Sequence, residues 1–260
     1  MPRSLPRPWQ DRLSFWPGCP CPLPEIGAFA SSGRKGIMKS TRLLLMSIYG
    51  RLYERYGPQG WWPGVTKTEI MVGAVLTQNT GWKNVVKAMD NLRKYKLLNY
   101  NGLYSVKLGR LASLIRPSGY YRLKAKRLKN MARFMKEGFG NNWKCIHDTP
   151  TDILRERLMG VNGIGDETAD SILLYALDRP VFVADLYTKR LLTRHKILNS
   201  EPRYEEMQGL FHRHLPKSLK LYNEYHALIV RVGHEHCRKT PRCQGCPLDD
   251  LLSHGAHRGR

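Results

Sequence analysis

The sequence predicts an all-α fold, and three observations carry that expectation. Apolar residues recur at i, i+3, i+4 and i+7, as in Leu128, Met131, Ala132 and Met135. Alternating apolar–polar runs of the strand type are scarce, and no internal repeat of solenoid length is visible. With 260 residues, 42% of them hydrophobic, the chain can bury one large core or two modest ones without disulfide staples.

Residues 1–37 hold seven of the sixteen prolines, mixed with glycines and arginines and without apolar periodicity, so disorder is expected there. Pro17, Pro20, Pro22 and Pro24 interrupt any apolar run that a signal peptide would need, and Met38 is a candidate start. From Thr41 onward the pattern is helical nearly everywhere, with apolar faces through 69–76, 83–95 and 205–215. "TDILRERLMG" reads as a short helix ending near Gly160, and "DETADSILLYAL" as a second that stops before Asp178-Arg179-Pro180.

Charge narrows the choice of partner. Lys and Arg number 43 against 21 acidic residues, a formal +22 that is self-repulsive unless a polyanion neutralises it. Between Arg110 and Lys136 stand nine basic residues and no acidic one, which favours a phosphate-facing surface over a face of mixed sign. The basic residues are too dispersed for a membrane anchor, and no apolar run approaches transmembrane length. Six cysteines, at 19, 21, 145, 237, 243 and 246, are too unevenly placed for a secreted disulfide framework, so an intracellular protein of the cytoplasm or nucleoid is expected.

The link "VNGIG" joins the two short helices. Glycines at 163 and 165 permit positive φ and remove side chains, so consecutive amides can point outward at a helix start and take a phosphate oxygen. A glycine link is equally an ordinary αα-turn. Its company is more specific: Thr168 and Ala169, an apolar "PVFVAD", then Asp185, which from the residues alone is either a catalytic carboxylate or the N-cap of "LYTKRLL".

"LMGVNGIGDETADSILLYALDRPVFVADLYTKRLL", with "VGAVLTQNTGWKNVVKAMDNL" and "SGYYRLKAKRLKNMARFM", resembles the helix-hairpin-helix DNA glycosylase superfamily, which includes endonuclease III. The likeness covers roughly residues 60–250. "WWP", "GAVLTQNT" and "DLY" look most like 3-methyladenine DNA glycosylase III.

That resemblance implies an enzyme that flips a damaged base out of double-stranded DNA and hydrolyses its glycosidic bond, with Asp185 stabilising the cationic sugar. It places Gly163, Ile164, Gly165 and Thr168 on the DNA backbone, with Gln78 and Asn79 filling the space a flipped nucleotide leaves. Trp61 and Trp62 would stack on an electron-poor alkylated purine, with Tyr187 near the pocket; all three are also plausible packing residues. Bifunctional members carry a lysine where this chain has Glu167, so the expected enzyme is hydrolytic and monofunctional. Lys189 is the nearest other amine in sequence, and Asp166 adds a second acid beside Glu167. Alternatives are an endonuclease III-type glycosylase and AP lyase on oxidised pyrimidines, or a protein that binds damaged DNA without cutting it.

Cys237, Cys243 and Cys246 resemble three of the four thiolates that hold a [4Fe-4S] cluster in endonuclease III-like tails. Leu252 stands at the fourth place. His254 or His257 as an outside ligand, a zinc site, and a metal-free relic remain alternatives. The resemblance implies two helical lobes with a cleft between them: a helical bundle over 60–180 with the hairpin at 151–177, and a second lobe from 38–59 plus 181–260. A monomer is expected.

Overall fold

The structure, a computed structural model, describes residues 33–62 and 64–251, with side chains from Ser40 on. The expectations for residues 1–32 and for Leu252, His254 and His257 lie outside the described residues. Twelve α-helices and no strand are found among the described residues. The all-α expectation holds.

The first core is built by α2 (Lys67–Leu76), α3 (Trp82–Lys94), α4 (Tyr100–Ser105), α5 (Leu108–Leu114), α6 (Tyr121–Phe139), α7 (Trp143–Asp148), α8 (Thr151–Met159) and α9 (Asp166–Ser171). Met71, Val75, Leu92, Leu128, Met131 and Leu158 are fully buried in it. Helix α2 starts where Thr66 accepts from the Glu69 amide at 3.1 Å, and Glu69 reaches back to the Val65 amide at 2.8 Å. Helix α6 ends at Gly140, whose φ of +57° lets its amide return to the last turn.

The second core joins the two ends of the described chain. Helix α1 (Gly33–Tyr56) packs against α11 (Tyr204–His214) and α12 (Leu219–Glu235), and α10 (Leu186–Arg194) closes the group. Leu45, Ile48 and Leu52 meet Phe182, Leu192, Phe211 and Val232 there. Tyr225 donates to the Leu45 carbonyl at 2.7 Å, and Phe182 stacks on Phe211 at 3.7 Å.

A π turn at Ile172–Ala176 takes the chain from one core to the other. The widened turn re-aims the side chains: Ile172, Leu173 and Ala176 enter the first core, while Leu174 and Tyr175 enter the second. The extended segment 180–185 then runs buried along the seam and delivers Asp185 to the start of α10.

A hairpin and a buried carboxylate at the seam

Gly163 has φ of +97°, a conformation that side-chain-bearing residues rarely adopt. Arg127 of α6 lies directly over it, so a Cβ at 163 would collide with the arginine's Cγ, Cδ and Nε. Gly165 departs from the expectation. Its φ of −100° is ordinary extended backbone, and it serves as the N-cap of α9. The Ile164 amide closes the turn on Val161 O at 2.9 Å, and the Ile164 side chain is buried. Among the described residues the amides of Gly163, Gly165 and Asp166 have no acceptor, which leaves them available to an anion.

Gln78 and Asn79 follow the end of α2, rather than beginning a helix. Gln78 Nε2 donates to Gly163 O at 3.0 Å and Thr168 Oγ1 at 2.9 Å, and Arg127 donates to its Oε1. Its polar atoms are thus committed to the hairpin. Asn79 is exposed, with φ of +52°.

Beneath this turn lies Lys124, 1% exposed, donating to Leu76 O at 2.8 Å, Ser118 O at 2.7 Å and Thr80 Oγ1 at 2.6 Å. Burial, and then the charge of Arg127, push its amine down to about 8. Lys124 is therefore not part of a phosphate-facing surface. Arg110, Arg116, Arg122, Lys126, Arg133 and Lys136 are exposed as that reading requires. Lys126, Arg127, Lys129 and Arg133 line an open hollow of about 560 Å³ that reaches Asn162 of the hairpin.

The acids beside the hairpin have partners. Arg155 of α8 donates to Asp166 at 2.7 Å and grips Asp170 with Nε at 2.7 Å and Nη2 at 3.0 Å. Asp170, fully buried, also accepts from Tyr204 OH and Gln208 Nε2 of α11, each at 2.8 Å. One carboxylate thus ties both hairpin helices to the second lobe.

Asp185 is the N-cap of α10, as one sequence reading has it, and also a buried acid at the seam. It is 9% exposed. Its Oδ1 accepts from the Thr188 amide at 2.8 Å and the Thr188 hydroxyl at 3.0 Å. His226 Nε2 of α12 lies 3.6 Å from Oδ2. Burial favours the neutral acid, but His226 and the two Thr188 contacts outweigh it and hold Asp185 below the ordinary carboxylate range.

Glu167 faces this carboxylate from α9. One side of it is open to solvent while protein crowds the others; burial, then the charge of Asp185, push it up to about 7. Lys189 is engaged with Glu201 on the surface. Trp61 and Trp62 are half-buried: Trp61 packs on the second core, Trp62 on both, and Trp82 and Tyr175 complete the aromatic group. Tyr187 lies flat on Gly233, where a Cβ would strike its ring, and beside His234 with ring centroids 5.0 Å apart.

Cys237, Cys243 and Cys246 line one hollow of about 30 Å³, room for about one water molecule. Arg194 donates to Cys237 Sγ at 3.1 Å. Among the described residues no group of three metal-binding side chains has the spacing of a metal site, and Leu252 supplies no donor. The residues present do not complete a four-thiolate set for an iron–sulfur cluster. Among the described residues no helix is long and apolar enough to cross a membrane.

His226, Tyr175, Lys124 and Arg127 carry much of this geometry and were not singled out by sequence reasoning. A polar residue on an apolar helical stripe is the signal that finds two of them: Lys124 shares its face with Leu128, Met131 and Met135, and His226 shares one with Tyr222 and Ile229.

Residues 72–217 match a family described as HhH-GPD superfamily base excision DNA repair protein. The chain is 48% identical over 209 residues to a putative DNA repair glycosylase of Methanocaldococcus jannaschii, covering 80% of this chain and 95% of that protein. The structure of H. pylori 3-methyladenine DNA glycosylase bound to 1,N6-ethenoadenine aligns with a TM-score of 0.62 at 29% identity, over 76% of this chain and 96% of the other. A trapped endonuclease III–DNA covalent intermediate aligns with a TM-score of 0.72 at 21% identity, over 84% and 99%, a likeness of fold.

Proposed function

The chain belongs to the HhH-GPD superfamily of base excision DNA repair proteins, and on that premise we propose that this DNA repair glycosylase is monofunctional, with Asp185 as its catalytic carboxylate. The observation that carries the reading is the environment of Asp185: an acid kept ionised although buried, at the seam between the two cores. As the glycosidic bond of a flipped nucleotide breaks, positive charge grows on the sugar. A fixed carboxylate in a dry site stabilises that charge strongly and can orient the attacking water. The hairpin amides and the basic surface of α6 hold the backbone meanwhile, which helps to offset the few kcal/mol that flipping costs.

Hydrolysis without strand cleavage is supported by Glu167, which cannot form an imine, and by the engagement of Lys189 with Glu201. The deciding experiment is base release from a panel of lesion duplexes. Asp185→Asn is expected to abolish release and retain binding. No release by the wild-type protein from any lesion would make it a damage-binding protein, and a borohydride-trapped adduct on abasic DNA would make it a lyase.

For the base, alkylated purines are the first reading. Support comes from the aromatic group around Trp61 and Trp62 and from the 29% identical structure that holds an ethenoadenine. The Trp61 indole N–H is buried and has no acceptor among the described residues. A cationic alkylpurine leaves without acid assistance. Glu167 favours a second reading, removal of uncharged bases, because a carboxyl that titrates near 7 beside Asp185 is placed to protonate a poor leaving group. No step is assigned to the cysteine tail.

A further inference from the structure

Asp185 is held from one side by its own helix and faced from the other by a histidine with an unusual constraint. His226 is 5% exposed, and its Nε2 has no hydrogen-bond partner among the described residues. It points at Asp185 Oδ2, 3.6 Å away. Its Nδ1 is hydrogen-bonded to the hydroxyl of Tyr175, delivered by the π turn.

Tyr175 determines which nitrogen carries the hydrogen. Burial first, then the charges of Asp185 and Glu224, push its phenol far above the ordinary value, so the oxygen keeps its proton. That hydrogen has no other acceptor among the described residues, so it goes to Nδ1, and the neutral ring's own hydrogen sits on Nε2. Protonation of the ring leaves Nε2 bearing hydrogen as well. In both states an N–H faces the carboxylate.

We propose that His226, its tautomer fixed by Tyr175, is the positioning residue that aims Asp185 Oδ2 at the reacting sugar. Thr188 holds Oδ1, so the carboxylate is fixed by two independent elements, α10 and α12. Its plane is then set before DNA arrives, with lone pairs left for the sugar or the attacking water. The inference rests on the reading of Asp185 as the catalytic carboxylate. The titratable groups facing Asp185 are Glu167 of α9, Tyr175 of the π turn, Tyr187 of α10, and His226 and His234 of α12.

Two measurements on the full chain test it. Nitrogen-15 NMR of the histidine rings should report hydrogen on Nε2 of His226 in the wild type and a mixture of tautomers in Tyr175→Phe. Hydrogen on Nδ1 alone in the wild type overturns the proposal, whether or not the protein releases a base. Single-turnover base release should fall on the order of a hundredfold in His226→Ala, as misplacement of a catalytic group does. DNA affinity should not change, and the acid limb should rise by about one pH unit. His226→Gln, whose amide nitrogen replaces Nε2, should recover part of the rate. If His226→Ala fails to fold, Tyr175→Phe should show a smaller shift in the same direction. An unchanged rate and acid limb in a folded variant would refute the role. A wild type that releases no base would refute the glycosylase reading, while the NMR result would still stand by itself.

Discussion

Gln78 donates to the carbonyl of Gly163 at 3.0 Å, so a side chain two residues beyond α2 holds the hairpin turn. A side chain with its donor and acceptor both spent on protein partners is not free to fill a vacated base stack. Gln78→Ala is therefore expected to loosen the hairpin, weakening binding to undamaged and damaged duplexes alike and costing about 1–2 kcal/mol of stability. Fluorescence anisotropy on both duplexes checks this. A loss confined to the rate of base release would return Gln78 to the role of a wedge.

On the proposed roles, Glu167 and Asp185 should set opposite limbs of a pH profile. A proton held by Glu167 is lost as pH rises through about 7, whereas Asp185, held below the ordinary carboxylate range, stays ionised well into acid. For an uncharged base the rate should fall above about pH 7, and Glu167→Gln should be slower with that limb removed. For 3-methyladenine the wild-type profile should be flat across the same range. Measuring both substrates in one buffer series separates the two base classes.

Asp170 accepts hydrogen bonds from Arg155, Tyr204 and Gln208 while fully buried. Asp170→Ala removes the bidentate partner of Arg155, which keeps only Asp166, and leaves the Tyr204 hydroxyl hydrogen without an acceptor; it is expected to cost about 3 kcal/mol. Tyr204→Phe removes the bond to Asp170 and the longer one from the Ala184 amide at 3.5 Å, and should cost about 1–2 kcal/mol. Urea denaturation of the two variants gives both values; similar losses would show that the network is not centred on Asp170.

The cysteine tail makes a compositional prediction. Leu252→Cys supplies the thiolate absent from the fourth place, and iron per protein after anaerobic purification should exceed that of the wild type, with broad visible absorbance. Equal iron in both proteins would show that the fourth residue does not limit metal binding.

The hairpin and Asp185 were legible in the sequence because each is local: glycine spacing, a short link and a carboxylate at a helix start are all read along the chain. The second glycine was misread because its freedom is not used; Gly165 caps α9 from extended backbone. Asp166 was legible only as a second acid beside Glu167, because its partner, Arg155, stands eleven residues earlier on the preceding helix. His226 and Tyr175 were hidden for a related reason. They are 51 residues apart, and only the π turn aims the tyrosine at the histidine. Nine basic residues between 110 and 136 suggested one surface, yet the buried member, Lys124, braces the turn beneath the hairpin.

The knot at Asp170 has a consequence for which strands the protein can process. Because α8 and α9 are fastened to α11, the span from the amides at Gly163 to the acid at Asp185 is set by the protein, and on the proposed roles it should act as a rigid caliper. A strand lengthened by one inserted spacer beside the lesion would present its sugar outside the jaws. Excision should therefore depend on contour length along the backbone, even where the damaged base is unchanged.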